Sequence, residues 1–458
     1  MNCGTLIAPQ EMYRLALVLP HSRRLLVITD DGTPCLPKIG IPVQSRVGEQ
    51  LTRAIEGTWK MRSAVVDYLA DKSIPIPLAV LELLAEDEYP SGNNFHSIGV
   101  HALPETDLTR DERIILERIL SGDEVGPGPF CRLGWINDVM AWIESNLSSR
   151  GWKLTGQFRQ LNADSFFSLI RFETTGPALW FKAVGEPNLC EFPISIALAR
   201  LFPGSVPTLV ATQSSWNAWL AIESEGIHPD HSSELEVWTR GVTSLAAMQV
   251  ASAGKTEELL GAGCKNLRLN ALLDLIDPFV ELVEVLMKQQ SKVPPVKLGT
   301  QELRDLSTEL KAACIGLGEL DLPDTLGHVD FNPGNILVSA DSCVFLDWAE
   351  ACVSHPFLTF EYLLEHFRRS HPDHLFLQSQ LISAYCEPWT SCSSPEKILK
   401  ALKFTPLVAV FAYAVANRTW CDSIRPQQPK IAGFLRSLAR RMCREAVLLE
   451  QWREPCLS

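Results

Sequence analysis

Hydrophobic and polar positions recur with a clear period along the first 125 residues, and this pattern predicts both strands and helices. LLVITDDGTPCL predicts two strands joined by an Asp-Gly turn, and FHSIGVHAL predicts another strand. GEQLTRAIEGTWKM and LTRDERIILERILSG have helical spacing, and the second offers Thr109 as a cap, Glu112 three residues later and Gly122 at its end. LAVLELLAE is compatible with either a strand or a helix.

A stretch rich in glycine, proline and acidic residues, SGDEVGPGPFCRLG, separates this region from the rest of the chain. The amphipathic helix GWINDVMAWIESNL comes next, then a strand-rich stretch from Phe158 to Glu223, and finally a long region of helical pattern. We therefore predict an α/β accessory domain at 1–125, a small sheet-rich lobe with a leading helix at 126–226, and a large helical lobe at 227–458.

The composition narrows the classes of function. The chain has 458 residues, of which 46% are hydrophobic and 21% charged, as in an ordinary globular protein. Its net charge of −13 disfavours nonspecific binding to nucleic acids or anionic membranes. The 13 cysteines are scattered without zinc-site spacing, which predicts reduced thiols in a cytoplasmic protein. The apolar run FTPLVAVFAYAVA is too short to span a bilayer, so we expect a buried helix there.

The segment LGHVDFNPGNILVSADSCVFLDWAE at 326–350 carries the most informative polar residues. His328, Asp330 and Asn335 fall within one short loop, where a Pro-Gly pair prevents a regular helix. The apolar triplet ILV and the segment VFLD predict the two strands of a hairpin, which would return Asp347 to the neighbourhood of Asn335.

Two carboxylates and a carboxamide at one point suit a defined chemistry. Oxygen ligands of this kind bind Mg²⁺, and one carboxylate remains available to accept a proton. Phosphoryl transfer needs both, because a base must orient the attacking hydroxyl while metal ions neutralise the phosphates. The alternative is a polar turn in a hairpin that has only a structural role.

The motifs HVDFNPGN and FLDW resemble the catalytic loop and metal-binding hairpin of the aminoglycoside phosphotransferase family, which shares its fold with choline kinases and, more distantly, protein kinases. The resemblance implies an α+β, protein kinase-like bilobal fold over roughly residues 150–450. It also implies that Asp330 is the catalytic base, that Asn335 and Asp347 hold Mg²⁺, and that His328 braces the loop. Further along, His355 and Thr359 stand where the family often has glycine and aspartate.

The same resemblance implies a lysine that grips the nucleotide phosphates. Lys182, within the apolar run ALWFKAV, is the candidate. An acidic partner should open the next helix, and Glu191 occupies that place with Glu186 as the alternative.

Other candidate nucleotide contacts are positional. Asn162 and Ser165 lie in the turn after the first strand of the small lobe and could contact phosphate. Glu223 and Glu225 lie in the linker between the lobes, where backbone groups could meet a purine.

The sequence therefore predicts an ATP- or GTP-dependent, Mg²⁺-requiring phosphotransferase that acts on a hydroxyl group of a small molecule. A catalytically silent kinase-like module that binds nucleotide or has a regulatory role is the alternative. The acceptor, the choice between ATP and GTP, and the oligomeric state stay open.

The accessory domain has an order of strands, turn and helix that resembles the Nudix hydrolase fold. That family carries clustered glutamates on its catalytic helix, whereas the corresponding positions counted from Gly40 hold Arg46, Ile55, Thr58 and Trp59. Without these carboxylates the segment cannot hold Mg²⁺ on a pyrophosphate. We therefore expect a non-hydrolytic domain.

Overall fold

The structure, a computed structural model, describes residues 9–43, 46–69, 75–85, 95–122, 128–163, 166–232, 234–422 and 425–453. The chain divides into two compact units. The first comprises residues 1–192 and 208–223, and the second comprises residues 193–207 and 224–458.

A mixed sheet forms the N-terminal part of the first unit. Among the described residues its central order is β3-β2-β1-β6-β5, with β4 also paired to β1 and β7 to β2. β1 and β6 are parallel, and the other pairs are antiparallel. The strands are β1 (Gln10–Leu19), β2 (Arg24–Asp30), β3 (Thr33–Cys35), β4 (Lys38–Pro42), β5 (Ser63–Leu69), β6 (Leu78–Leu83) and β7 (Phe95–Ile98).

Both faces of this sheet are covered. Successive residues of β1 point to opposite faces, and residues of both sets are buried. Leu15 and Leu17 pack in one core cluster with helix α1 (Val47–Trp59), whereas Ala16 and Val18 pack in a second cluster with helix α2 (Arg110–Ser121). The ambiguous segment LAVLELLAE forms β6, a strand whose residues are all buried.

Helix α2 begins and ends as its sequence predicts. The Thr109 side chain accepts a hydrogen bond from the Glu112 backbone N–H, and the Glu112 carboxylate accepts one from the Thr109 N–H. Gly122 ends the helix at φ +87°, a left-handed conformation that glycine adopts without strain.

A five-stranded antiparallel sheet completes the first unit, in the order β11-β12-β10-β9-β8 among the described residues. Helix α3 (Trp135–Leu147) covers one face through a shared core cluster, and helix α4 (Glu191–Leu201) follows β10. The strands are β8 (Leu154–Ala163), β9 (Phe167–Thr174), β10 (Leu179–Val184), β11 (Leu209–Gln213) and β12 (Ala218–Ile222).

The N-terminal sheet and the five-stranded sheet are in direct contact within the first unit. Glu49 of α1 accepts hydrogen bonds from the Arg159 guanidinium at 2.6 and 3.0 Å. The buried Gln160 side chain exchanges two hydrogen bonds with the Val65 backbone, at 2.7 and 2.8 Å. The compact units thus group the accessory region with the small sheet, and the division into three domains stays a prediction.

The second unit is mainly helical, and the α+β class is confirmed. Its helices are α5 (Leu235–Ser252), α6 (Thr256–Gly261), α7 (Leu269–Lys288), α8 (Thr300–Gly318), α9 (Pro356–Ser370), α10 (Leu375–Cys386), α11 (Pro395–Ala416) and α12 (Pro429–Arg453). Its short strands are β13 (Lys265–Leu267), β14 (Thr325–His328), β15 (Ile336–Val338), β16 (Cys343–Phe345) and β17 (Ala351–Ser354).

Helix α11 contains the apolar run near residue 404. Among the described residues, α11 is the helix that is both long enough and apolar enough to cross a membrane, judged by length and composition alone. However, 61% of its most apolar stretch is buried inside the structure, and Phe411 packs edge-on against Phe279 of α7 at a ring-centroid distance of 5.6 Å. The helix therefore has the contacts of a core helix.

Candidate active site

Strand β14 leads directly into the catalytic loop and fixes where it starts. It pairs with β17 in antiparallel register, with His328 opposite Ala351, and His328 is 1% exposed. The His328 backbone N–H donates to the Thr359 hydroxyl at 2.9 Å. The preceding residue must be glycine, because a Cβ on Gly327 would lie 2.7 Å from the Ser354 hydroxyl. The start of the loop is thus fixed by close packing as well as by pairing.

The loop turns through side-chain hydrogen bonds of its two asparagines. The Asn332 side chain accepts from the Gly334 N–H at 3.0 Å. The Asn335 amide nitrogen donates to the Asp330 carbonyl at 3.1 Å. This partner can only accept, so the Asn335 side-chain oxygen is directed elsewhere and is available to a cation.

The hairpin of β15 and β16 brings Asp347 beside Asn335, as the sequence predicts. Ile336 pairs with Phe345, and the Leu346 N–H donates to the Asn335 carbonyl at 2.8 Å. Asp347 then turns the chain with φ +59°, a left-handed conformation that is uncommon outside glycine. Such a backbone at a polar loop is typical of functional sites, where the surrounding structure enforces it.

His328 joins the two ends of this assembly. Its imidazole Nε2 lies 2.7 Å from the Asp347 carbonyl oxygen. Because a carbonyl only accepts, Nε2 carries the proton. Burial lowers the pKa of His328, which keeps the ring neutral. The geometry matches the bracing role expected for His328.

The donor set at the hairpin fits a magnesium ion. Asn335 offers an amide oxygen and Asp347 an exposed carboxylate, and hydrogen bonds of the backbone hold the two residues side by side. Mg²⁺ prefers such oxygen ligands and commonly takes only one or two from the protein, leaving the rest to water and phosphates. The roles of Asp330, Asn335 and Asp347 stay predictions that this arrangement fits.

Lys182 lies on β10, the central strand of the five-stranded sheet. Its Nζ is 2.5 Å from Oε1 of Glu191, the first residue of α4, whose side chain is 3% exposed. The Lys182 ammonium also lies 5.6 Å from the Phe167 ring centroid and 5.8 Å from that of Trp219. Of the two candidate partners, Glu191 is therefore the one that the structure pairs with Lys182.

The structure gives Glu223 a contact that the sequence did not reveal. Its carboxylate accepts from the Arg171 guanidinium at 2.5 and 2.8 Å and from the Trp180 indole at 2.9 Å. The Arg171 hydrogen bond holds the pKa of Glu223 below its ordinary value. The side chain is thus engaged by the five-stranded sheet, and the expectation that backbone groups near Glu223 meet a purine stays a prediction.

The remaining candidates are less informative. Asn162 lies within β8, paired with Leu169 of β9, rather than in the turn where the sequence placed it, and its amide nitrogen lies 3.5 Å from the Phe167 carbonyl. Glu225 is exposed in the second unit. Ser165 lies outside the described residues.

The two departures from the family pattern after Asp347 have structural roles. Thr359 supplies the hydroxyl that receives the His328 backbone N–H, so it supports the catalytic loop where the family often has an aspartate. His355 caps helix α9 by accepting the Phe357 N–H at 3.4 Å, and burial lowers its pKa to about 3.

A cavity of about 300 Å³ opens beside the catalytic loop, entirely within the second unit. Asp330 lies on one side of it, with Glu365 and His366 of α9, Tyr413 of α11 and Arg441 of α12 around it. Sequence reasoning missed these residues as site residues. The periodicity identified the helices, but nothing in it shows that α9, α11 and α12 meet at Asp330.

Asp330 lines the cavity, Asn335 and Asp347 lie side by side at the hairpin, and Lys182 pairs with Glu191 on the small sheet. These are the kinds of side chain that phosphoryl transfer by a kinase-like enzyme requires. Residues 258–391 match the sequence profile of the phosphotransferase enzyme family. This match contains the catalytic loop and the hairpin, and it confirms the resemblance and the enzyme class predicted from HVDFNPGN and FLDW.

Several solved structures resemble the chain at low identity. A choline kinase from Cryptosporidium parvum Iowa II has 9% identity and a TM-score of 0.48, covering 69% of this chain and 97% of its own. An ethanolamine kinase from Plasmodium vivax has 10% identity and a TM-score of 0.46, covering 69% and 89%. A macrolide 2′-phosphotransferase from Brachybacterium faecium has 15% identity and a TM-score of 0.42, covering 66% and 98%.

No curated protein sequence matches the chain. The family match does not reach residues 1–125, and the Nudix-like expectation for that segment has no support.

Proposed function

We propose that the protein transfers the γ-phosphate of ATP or GTP to a hydroxyl group of a small molecule. The observation that carries the proposal is the set of hydrogen bonds that fastens the catalytic loop to the hairpin. They link Asp330 to Asn335 and Asn335 to Leu346, the neighbour of Asp347, and Asp330 lines a cavity large enough for a small acceptor.

In the proposed step, Asp330 orients the acceptor hydroxyl and takes its proton. A bond forms between the acceptor oxygen and the γ-phosphorus, and the bond from that phosphorus to the β,γ-bridging oxygen breaks. The nucleoside diphosphate leaves with the electron pair of the broken bond. Positioning and charge neutralisation supply most of the acceleration in such reactions.

Asn335 and Asp347 would hold Mg²⁺, which supplies neutralisation of the phosphate charge when bound. The chain's own part is to keep these ligands in place. The amide nitrogen of Asn335 is fastened to the Asp330 carbonyl, and the Asp347 carbonyl is fastened to His328. These bonds hold the Asn335 amide and the Asp347 backbone in place before a cation arrives, and preorganisation of this kind lowers the cost of charge stabilisation.

Lys182 would bind the nucleotide phosphates. Its ammonium is held by a carboxylate that is itself buried, so the lysine keeps one orientation on the central strand of the sheet. A buried ion pair contributes little net stability compared with apolar packing. The pair is therefore better explained by phosphate binding than by a contribution to folding.

The test is an ADP- or GDP-release assay with Mg-ATP and Mg-GTP over a panel of sugars, amino sugars, nucleosides and choline-like alcohols. We expect one acceptor class to raise release in the wild type. Asp330→Asn should lower that rate by about 10² to 10⁴-fold, because the asparagine cannot take the proton.

The Asp330→Asn variant should still bind Mg-nucleotide, measured as a nucleotide-dependent rise in Tm. An acceptor-stimulated rate that persists in this variant would refute Asp330 as the base. Nucleotide binding without turnover of any acceptor would instead favour the silent module.

A further inference from the structure

The lining of the cavity beside Asp330 contains several charged side chains, and most of them form ion pairs. Glu365 of α9 is shared by two guanidiniums of the lining: Arg369 at 2.9 Å and Arg441 at 3.2 Å. Glu361, also in the lining, accepts from Arg368 at 2.5 Å and is 5% exposed. Asp330 is the lining carboxylate that has no arginine partner among the described residues.

This pairing works against a cationic acceptor. Apart from Asp330, which the reaction itself requires, an ammonium group entering the cavity could reach a carboxylate only by displacing an arginine from Glu361 or Glu365, leaving a guanidinium without its partner. It would also approach Arg369 and Arg441, whose like charges raise the cost of binding. A site built for polycations would instead offer uncommitted carboxylates.

The other wall of the cavity is aromatic. Tyr413 of α11 and Phe434 of α12 both line it, with their ring centroids 6.2 Å apart in an edge-to-face arrangement. Tyr362 of α9 adds a third ring, 6.0 Å from Tyr413. Single exposed apolar residues are ordinary on protein surfaces. Here, however, Tyr413 is 39% exposed and Phe434 49% exposed, and the two are neighbours on the wall of one cavity.

We propose that the acceptor is an uncharged ring compound that lies with its apolar face against Tyr413 and Phe434 and points a hydroxyl at Asp330. This inference rests on the proposed phosphotransferase function and names its acceptor class. Neutral glycosides and nucleosides share the chemistry required, namely a ring face for stacking and a hydroxyl for attack. Glu361 and Glu365 of α9, each paired with an arginine, then disfavour the binding of amines.

The experiment compares matched acceptors that differ in one charge. ADP release is measured with methyl glucoside against its 2-amino-2-deoxy counterpart, with adenosine and uridine as the nucleoside arm, and with choline as a cation without a ring. We expect a neutral ring compound to have a higher kcat/KM than its amine counterpart, by about tenfold or more given the charge pairing. Whether the glycosides or the nucleosides stimulate ADP release shows which of the two classes of ring compound is the acceptor.

Variants of the aromatic wall separate stacking from chemistry. Tyr413→Ala should raise KM for the neutral acceptor by about 2- to 13-fold, the equivalent of an aromatic contact, with a smaller change in kcat. Tyr413→Phe should retain most of the affinity because it keeps the ring. Phe376→Ala, at a residue of α10 that is 71% exposed and outside the cavity lining, is the matched control and should leave KM unchanged.

A variant of these charged pairs tests the charge argument directly. Arg369→Met removes one of the two guanidiniums of the cavity lining that pair with Glu365, at a side chain that is 61% exposed; Arg368, outside the lining, lies 3.9 Å from the same carboxylate. We expect the kcat/KM for the amine counterpart to rise relative to that for the neutral compound.

Each outcome decides between the two levels of the proposal. A wild type that prefers amines, or equal KM changes in Tyr413→Ala and Phe376→Ala, would overturn the acceptor class. So would Mg-ATP binding with no stimulation by either neutral arm. Failure to bind either Mg-ATP or Mg-GTP, or a stimulated rate that survives in Asp330→Asn, would instead contradict the phosphotransferase function.

Discussion

The Nε2 atom of His328 and the backbone carbonyl oxygen of Asp347 are joined by a 2.7 Å hydrogen bond that ties the catalytic loop to the end of the hairpin. The bond requires a proton on Nε2. Nδ1 is buried and has no hydrogen-bond partner among the described residues, so a proton there would be unsatisfied. Burial accordingly lowers the pKa of His328, and the bond persists through the physiological range.

Replacing His328 by leucine should loosen Asp347. The substitution leaves the Asp347 carbonyl without its donor, which costs about 1–3 kcal/mol in the free energy of unfolding. Because the carboxylate of Asp347 would then have more freedom, kcat should fall more than the acceptor KM rises. Urea unfolding and ADP release measure the two effects. His374→Leu, at an exposed histidine that precedes α10, is the control, and an equal loss of kcat there would contradict the positioning role.

The Lys182–Glu191 pair gives a second prediction. Lys182→Met alone removes the ammonium that pairs with a carboxylate 3% exposed and should lower the free energy of unfolding by about 3–5 kcal/mol. The double variant Lys182→Met with Glu191→Gln removes both charges and should recover much of that stability.

Activity should not recover in the double variant, because methionine cannot bind phosphate. We expect a higher KM for Mg-nucleotide and a lower kcat in both variants, measured by ADP release. A double variant with nearly wild-type turnover would show that the pair serves only folding.

Thr359 carries the third prediction. Thr359→Val keeps the shape of the side chain but removes the acceptor of the His328 backbone N–H, which lies in a buried site. We expect a loss of about 1–3 kcal/mol in the free energy of unfolding, together with a reduced kcat. Thr359→Ser retains the hydroxyl and should stay close to wild type in kcat. Equal behaviour of the two variants would argue against this support of the loop.

Features that depend on neighbouring residues in the chain were predictable. The cap of α2 needs only Thr109 and Glu112, three residues apart, and the structure forms it. The catalytic hairpin likewise depends on one contiguous segment, in which a turn between two apolar strands returns Asp347 to Asn335. Local hydrogen-bonding rules and alternation decide both cases.

Features that depend on tertiary contacts between residues distant in the sequence were not predictable. The Arg171–Glu223 pair joins β9 to the residue that follows β12, across the intervening strand β10, so sequence spacing does not predict it. Tyr413 belongs to an apolar run that predicts a core helix, and most of α11 is indeed buried. Its ring reaches the cavity because α9 and α12 leave an opening there, a consequence of how three helices pack.

His355 makes the stability of the protein sensitive to acid. Burial lowers its pKa from 6.5 to about 3, and its Nε2 has no hydrogen-bond partner among the described residues. Between these two values the unfolded chain binds a proton at this residue and the folded chain does not. Lowering the pH therefore favours unfolding, whereas above pH 6.5 the residue makes no pH-dependent difference. Burial lowers the pKa of His328 as well, which acts in the same direction.

The variant His355→Asn isolates this effect. Asparagine is a good helix cap and can accept the Phe357 N–H in place of the imidazole, but it does not titrate. From pH 7.5 to 5.5 the wild type should lose about 1.4 kcal/mol more of its free energy of unfolding than the variant does. Urea unfolding at the two pH values measures the difference. Parallel losses in the two proteins would mean that His355 is protonated in the folded state near its ordinary pKa, and that water reaches a side chain that is 1% exposed.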